Sequence, residues 1–154
     1  MARFRRFSRR FISKPKRNTE RIIRAGFSNI AIGTQQVAYT WTAAEACTVK
    51  SIRLDAGATA ITATPDTNVA YVLVRVPEGY NANNITYPAL TADMYNPTEL
   101  VLISGVLTDG SAEDHKSNFI GRKMKAGDRL ALIFHNAGGA AVTVSFEINF
   151  SVLT

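Results

Sequence analysis

From Val142 to Val152 apolar and polar residues alternate without a break: Val142, Val144, Phe146, Ile148, Phe150 and Val152 against Thr143, Ser145, Glu147, Asn149 and Ser151. Successive side chains of a strand point to opposite faces, so this pattern fits an extended segment with one buried face and fits no helix, which would scatter the six apolar residues around its axis. The same period governs most of the chain after residue 27. Val69 to Val76 and Leu100 to Ile103 are apolar at both parities, which predicts two central strands with both faces covered. Arg129 to His135 reads as a strand between the turn residues Ala126-Gly127-Asp128 and Asn136-Ala137-Gly138-Gly139, and should neighbour the final strand. Shorter strands are expected over Gln36 to Thr42, Ala46 to Leu54, Thr59 to Ala63 and Asn118 to Met124. In the second of these the apolar parity slips between Val49 and Ile52, which predicts a bulge near Lys50-Ser51. Eight short strands separated by Gly, Pro, Asn and Asp predict an all-β fold, an eight-stranded antiparallel jelly-roll sandwich. The Pro77 to Thr98 stretch is too long for a hairpin and reads as a surface excursion.

A body of about 130 residues supports one domain with a real core. Cys47 is the only cysteine, which excludes an internal disulfide framework and a cysteine-based zinc site, and a buried small hydrophobe is its simplest reading. No run approaches the about 20 apolar residues of a membrane span, and no N-terminal apolar run resembles a secretory signal.

Charge divides the chain where hydropathy does not. Residues 1–24 hold ten of the eighteen Lys and Arg and one acid, Glu20, a balance of +9; the eight bases and eleven acids that remain give −3, and the two parts return the net +6. The expected organisation is a basic arm over residues 1–27 and a single jelly-roll domain over residues 28–154. Three readings of the arm stay open. Phe4, Phe7 and Phe11, spaced i, i+3, i+7 among arginines, suit an organelle presequence. The same alternation suits single-stranded nucleic acid, because guanidinium forks meet phosphates and Phe rings stack on unpaired bases. Membrane-surface binding is the third. Lys14-Pro15-Lys16-Arg17 also matches a nuclear import pattern.

Catalysis finds no support. His115 and His135 lie in no metal-pair spacing, and the chain has no Gly-x-Ser-x-Gly elbow. Asp109, Glu113 and Asp114 place three carboxylates in a short loop without the ligand register of an EF-hand, so a solvated acidic loop is the simpler reading than an intersubunit metal. No cofactor is implied.

An Arg-rich arm before an eight-strand pattern, the turn-rich excursion ending in Tyr95-Asn96-Pro97, Leu100-Val-Leu-Ile-Ser-Gly105, Arg122-Lys-Met-Lys-Ala-Gly-Asp128 and the alternating last strand together resemble the single jelly-roll coat proteins of small icosahedral viruses, most of all circular single-stranded DNA viruses that encode their own replication initiator. The resemblance implies a capsid protein of the virion that assembles with itself, about 60 copies closing by symmetry, with its arm turned inward to a single-stranded genome and with nuclear import in the host. It implies phosphate contacts from Arg3, Arg5, Arg6, Arg9, Arg10, Lys14, Lys16, Arg17, Arg21 and Arg24. Phe4, Phe7 and Phe11 would stack on bases or anchor the arm beneath the shell. Lys50, Arg53 and Arg75 fall within expected strands and could extend a basic inner face, though covering an edge or pairing with an acid is the commoner role; the cluster Arg122, Lys123, Lys125 and Arg129 reads equally as a solvated turn or a genome contact. The alternative of another class is a lectin-like or adaptor-like jelly-roll module carrying a removable presequence.

Overall fold

The computed structural model describes residues 18–60, 68–79, 101–108 and 114–154, with the side chains of 60 and 114–119 outside the description. Eight strands follow in chain order: β1 (Thr19–Ile30), β2 (Gln35–Thr42), β3 (Cys47–Ala60), β4 (Asn68–Val76), β5 (Val101–Thr108), β6 (Asp114–Met124), β7 (Arg129–Asn136) and β8 (Val142–Leu153). They form two four-stranded antiparallel sheets, one ordered β1-β8-β3-β6 and the other β2-β7-β4-β5. Every consecutive pair of strands except β4–β5 changes sheet, which is the jelly-roll winding expected from the strand count.

The alternation of β8 becomes a core face as predicted. Val142, Val144, Phe146, Ile148, Phe150 and Val152 are all buried between the sheets, together with Ile52, Leu54, Tyr71, Leu73, Leu130, Leu132 and Phe134. Aromatic rings tie the two sheets together: Trp41 meets Phe150 edge-on at 5.2 Å, and Phe134 lies 6.0 Å from Phe146 and 6.2 Å from Tyr71. A second buried apolar layer, Ala70, Val72, Val74, Val76, Ala131 and Ile133, covers the outward faces of β4 and β7. Cys47 is buried as a small hydrophobe; burial, then Glu45 and Asp128, push its thiol up.

Four sequence expectations are corrected. The last two strands are not neighbours: β7 and β8 lie in opposite sheets. Asn136 explains the turn, since its fully buried side-chain amide donates to the Ile30 (3.1 Å) and Ala140 (2.8 Å) carbonyls while its oxygen accepts from the Gly138 N–H (3.0 Å). Those three bonds hold 137–141 as a corner between the sheets rather than a hairpin. Residues 19–27, assigned to the arm, are part of β1 and pair with β8. Their pattern was obscured because β1 is an edge strand, exposed over most of its length. The separate strand expected from Thr59 does not begin there, because β3 runs unbroken through Ala60. Finally, β5 is an edge strand and not a central one; Leu102 and Ile103 are both buried because Leu102 is an extra residue in the register between Leu73 and Val74.

The bulge expected near Lys50-Ser51 is present. Val49 pairs with Val152 and Ser51 with Ser151, leaving Lys50 unpaired, and the parity of β3 is restored beyond it.

Candidate nucleic-acid interface

Asn18, the first described residue, and Thr154 meet at one end of the β1-β8-β3-β6 sheet. The Asn18 carbonyl accepts hydrogen bonds from the Thr154 N–H (3.1 Å) and hydroxyl (3.5 Å). The next register row runs Thr19–Leu153–Thr48–Lys123 across all four strands. Residues 1–17, which lie outside the described residues with Arg3, Phe4, Arg5, Arg6, Phe7, Arg9, Arg10, Phe11, Lys14, Lys16 and Arg17 among them, therefore join the domain at this row.

The β3 bulge turns Lys50 outward beside the row, and Lys123 sits on the same face. Together with Thr48, Leu153 and Thr154 they line a shallow groove of about 480 Å³. A second depression, about 420 Å³, continues around the β6 edge past Ile120, Gly121, Arg122 and Arg75. Neither Lys50 nor Lys123 has an ion pair among the described residues. Two exposed ammonium groups thus add positive charge to the end of the sheet at which residues 1–17 are joined, two and three strands across from β1.

The turns at this end are fixed by Asp128. One of its oxygens accepts from Arg75 through Nε (3.0 Å) and Nη2 (2.9 Å) and from the Lys125 N–H (2.9 Å); the other accepts from the Glu78 N–H (3.3 Å). Burial alone would raise this carboxyl, but the two backbone N–H groups and the Arg75 guanidinium outweigh it and hold the carboxyl below the usual carboxylate range. Gly127 beside it takes φ +86°, a left-handed conformation that strains any residue with a Cβ. Ala43 closes the cluster by donating to the Asp128 carbonyl and accepting from the Gly127 N–H, each at 2.9 Å. Arg75 is thus paired with an acid, as is Arg53, whose Nε lies 3.0 Å from Asp55 Oδ2.

Of the expected phosphate contacts on described residues, Arg21 and Arg24 are not brought together. Arg21 lies on the outward face and donates through Nε to Asn149 Oδ1 at 3.0 Å. Arg24, three residues on, faces the other side of β1 and hydrogen-bonds Tyr39 of β2. Burial raises the Tyr39 phenol and Arg24 partly offsets that rise. Farther along the same face the field reverses: Glu147 and Asp55 occupy paired positions on β8 and β3, with Arg53 relieving part of their repulsion. The outward face is therefore cationic near the arm root and anionic toward its middle. The placement of Lys50 and Lys123 in one groove was beyond the sequence, because the two are 73 positions apart and are brought together only by the register of β3 on β6.

Asp109 and Glu113 of the acidic loop lie outside the described residues, and Asp114 begins β6. Among the described residues no three His, Cys, Asp or Glu side chains gather as metal ligands, and no helix is long and apolar enough to cross a membrane.

No protein-family model matches the chain, and no curated protein matches it in sequence. Solved structures do match it in fold. The class shown is the jelly-roll β-sandwich: the decameric capsid protein of BFDV, a circovirus, aligns with a TM-score of 0.51 and 11% identity over 90% of this chain and 99% of that one. The structure of infectious bursal disease virus Gx strain aligns at a TM-score of 0.42 and 9% identity, over 91% of this chain and 32% of its own. The first likeness carries the fold expected from the sequence resemblance.

Proposed function

We propose that this chain is a structural capsid protein, without catalytic activity, that assembles into an icosahedral shell of about 60 copies and packages a single-stranded genome through residues 1–17. The observation that carries this reading is that residues 1–17, with eight cations, join the β1-β8-β3-β6 sheet at the same end as the exposed Lys50 and Lys123, which lie on β3 and β6 across that sheet. The viral jelly-roll fold supports the same reading. Eight cations per chain in residues 1–17 would concentrate on the order of 500 positive charges in such a shell, enough to neutralise a comparable number of phosphates by counterion release. The virion is the place of action. Lys14-Pro15-Lys16-Arg17 suits import to the host nucleus, and a single-stranded DNA genome suits the circovirus likeness.

Size-exclusion chromatography with absorbance at 260 and 280 nm tests the proposal. The whole chain should elute as megadalton particles rich in nucleic acid. Deleting residues 1–17, which leaves β1 whole, should abolish the nucleic-acid signal and retain the folded sandwich. Binding of the intact chain to a single-stranded oligonucleotide should weaken steeply with salt, with a log–log slope approaching about −5 if the eight arm cations engage phosphates. Packaging that persists unchanged after the deletion overturns the role given to the arm.

A further inference from the structure

A β-sandwich has four edge strands, and each edge presents unpaired N–H and C=O groups to any strand that meets it. Three of the four edges here are interrupted. In β2 the register with β7 slips at Ala38. In β5 it slips at Leu102. In β6 it slips across Ile120 and Gly121, where Gly121 takes φ +58°. Bulges of this kind twist an edge away from a would-be partner. β1 has none: it pairs with β8 residue for residue from Thr19 to Ile30 and contains no proline. Among the described residues no backbone group meets its outer edge along those twelve positions. It also carries, on its outward face, the two most exposed large apolar side chains of any strand among the described residues, Ile23 at 50% and Phe27 at 82%. An edge that is long, regular and apolar is the kind soluble proteins ordinarily avoid.

We infer that the free edge of β1 is an interface with a second copy of this chain, joined strand to strand across a two-fold axis at Ala25. Two identical edges related by a two-fold pair antiparallel, so a register is defined by the one residue that faces itself. With Ala25 on the axis, Ile23 of each copy faces Phe27 of the other on the outward side, giving two aromatic–aliphatic cross-strand pairs. On the inward side Arg24 faces Gly26, which leaves room for the long side chain. Moving the axis to Arg24 would set two guanidinium groups against each other and would leave Ile23 facing Ala25. Charge and shape together select the Ala25 register. The contact joins two four-stranded sheets into one of eight and needs neither the arm nor nucleic acid, so it stands or falls apart from the packaging role.

Cysteine cross-linking tests it in the 154-residue chain with Cys47→Ala. Ala25→Cys should form a covalent dimer under mild oxidation, because facing Cα atoms in an antiparallel pair lie about 4.5–5.5 Å apart, within disulfide range. Asn29→Cys, which would face Arg21, should give at most a tenth of that yield. Phe27→Lys should weaken association by tenfold or more in sedimentation while its circular dichroism and melting curve stay unchanged, since the side chain it replaces is exposed. The inference is overturned if Ala25→Cys stays monomeric on a non-reducing gel, if Asn29→Cys cross-links equally well, or if Phe27→Lys associates like the parent. Loss of association in Phe27→Lys without a cross-link in Ala25→Cys would mean that some other segment, such as a neighbour's arm, occupies the edge, and would overturn it too.

Discussion

The two sheets share a core and differ in what lies on their other sides. Outside β4 and β7, Val72, Val74, Ala131 and Ile133 are as buried as the residues between the sheets. Outside β8 and β3, Ser145, Glu147, Asn149, Ser51, Arg53 and Asp55 form a polar surface, and its edge strand carries the exposed Ile23 and Phe27. One sheet is scaffold on both faces, and the other is scaffold on one face and contact surface on the other. The arm joins the second. A jelly roll can therefore divide labour between its sheets without a separate domain for binding.

Ile133→Lys would break that contrast most directly. An unpaired ammonium in the outer layer of β7 should cost several kcal/mol and leave little folded protein in a denaturant titration. Ser145→Lys, at an outward position of β8, should stay within about 0.5 kcal/mol of the parent in the same titration. If the two variants melted alike, the sheets would not differ as described.

Asp128→Asn comes next, at about 3–5 kcal/mol, because it strands the Arg75 guanidinium and weakens the bonds that hold two turns at the arm's end of the domain. The pH dependence has a fixed sign. The folded-state pKa of Asp128 lies below the ordinary aspartate value, so its contribution is complete above that ordinary value and is lost as pH falls through the folded one. The stability gap between parent and Asp128→Asn should be constant from pH 7 to about 5 and narrow below about pH 4; a gap that widened on acidification would contradict the assignment.

Gly26→Val sharpens the comparison within the contact sheet. A Cβ at Gly26 would lie 3.0 Å from the Phe146 ring carbon Cζ, so the ring must shift to admit a side chain on the core face of β1, and the branched Val should cost about 1–3 kcal/mol in a thermal melt. An unchanged melting temperature would mean that β1 leaves the sheet readily.

Legibility followed burial. β8, β7 and β4 were readable because water is excluded from one or both faces and the hydropathy records it; the β3 bulge was readable because a single unpaired residue shifts the parity of everything after it. β1 was hidden, since Arg21, Arg24 and the exposed Ile23 and Phe27 blur the alternation at an edge that only β8 covers. Of the site, the arm's charge and the separate basic residues of the body were plain, while the gathering of Lys50 and Lys123 in one groove at the arm's end of the sheet was not.

By itself the sequence determined that this protein is a β-sandwich with a cationic terminus, because side-chain alternation and net charge are local sums along the chain. Which strands share a sheet, where the arm attaches and which edge is left open were decided only in three dimensions. Those depend on hydrogen-bond register between strands up to about 130 positions apart, and on one buried amide, Asn136, that turns β7 away from β8. No local pattern encodes a partner that distant.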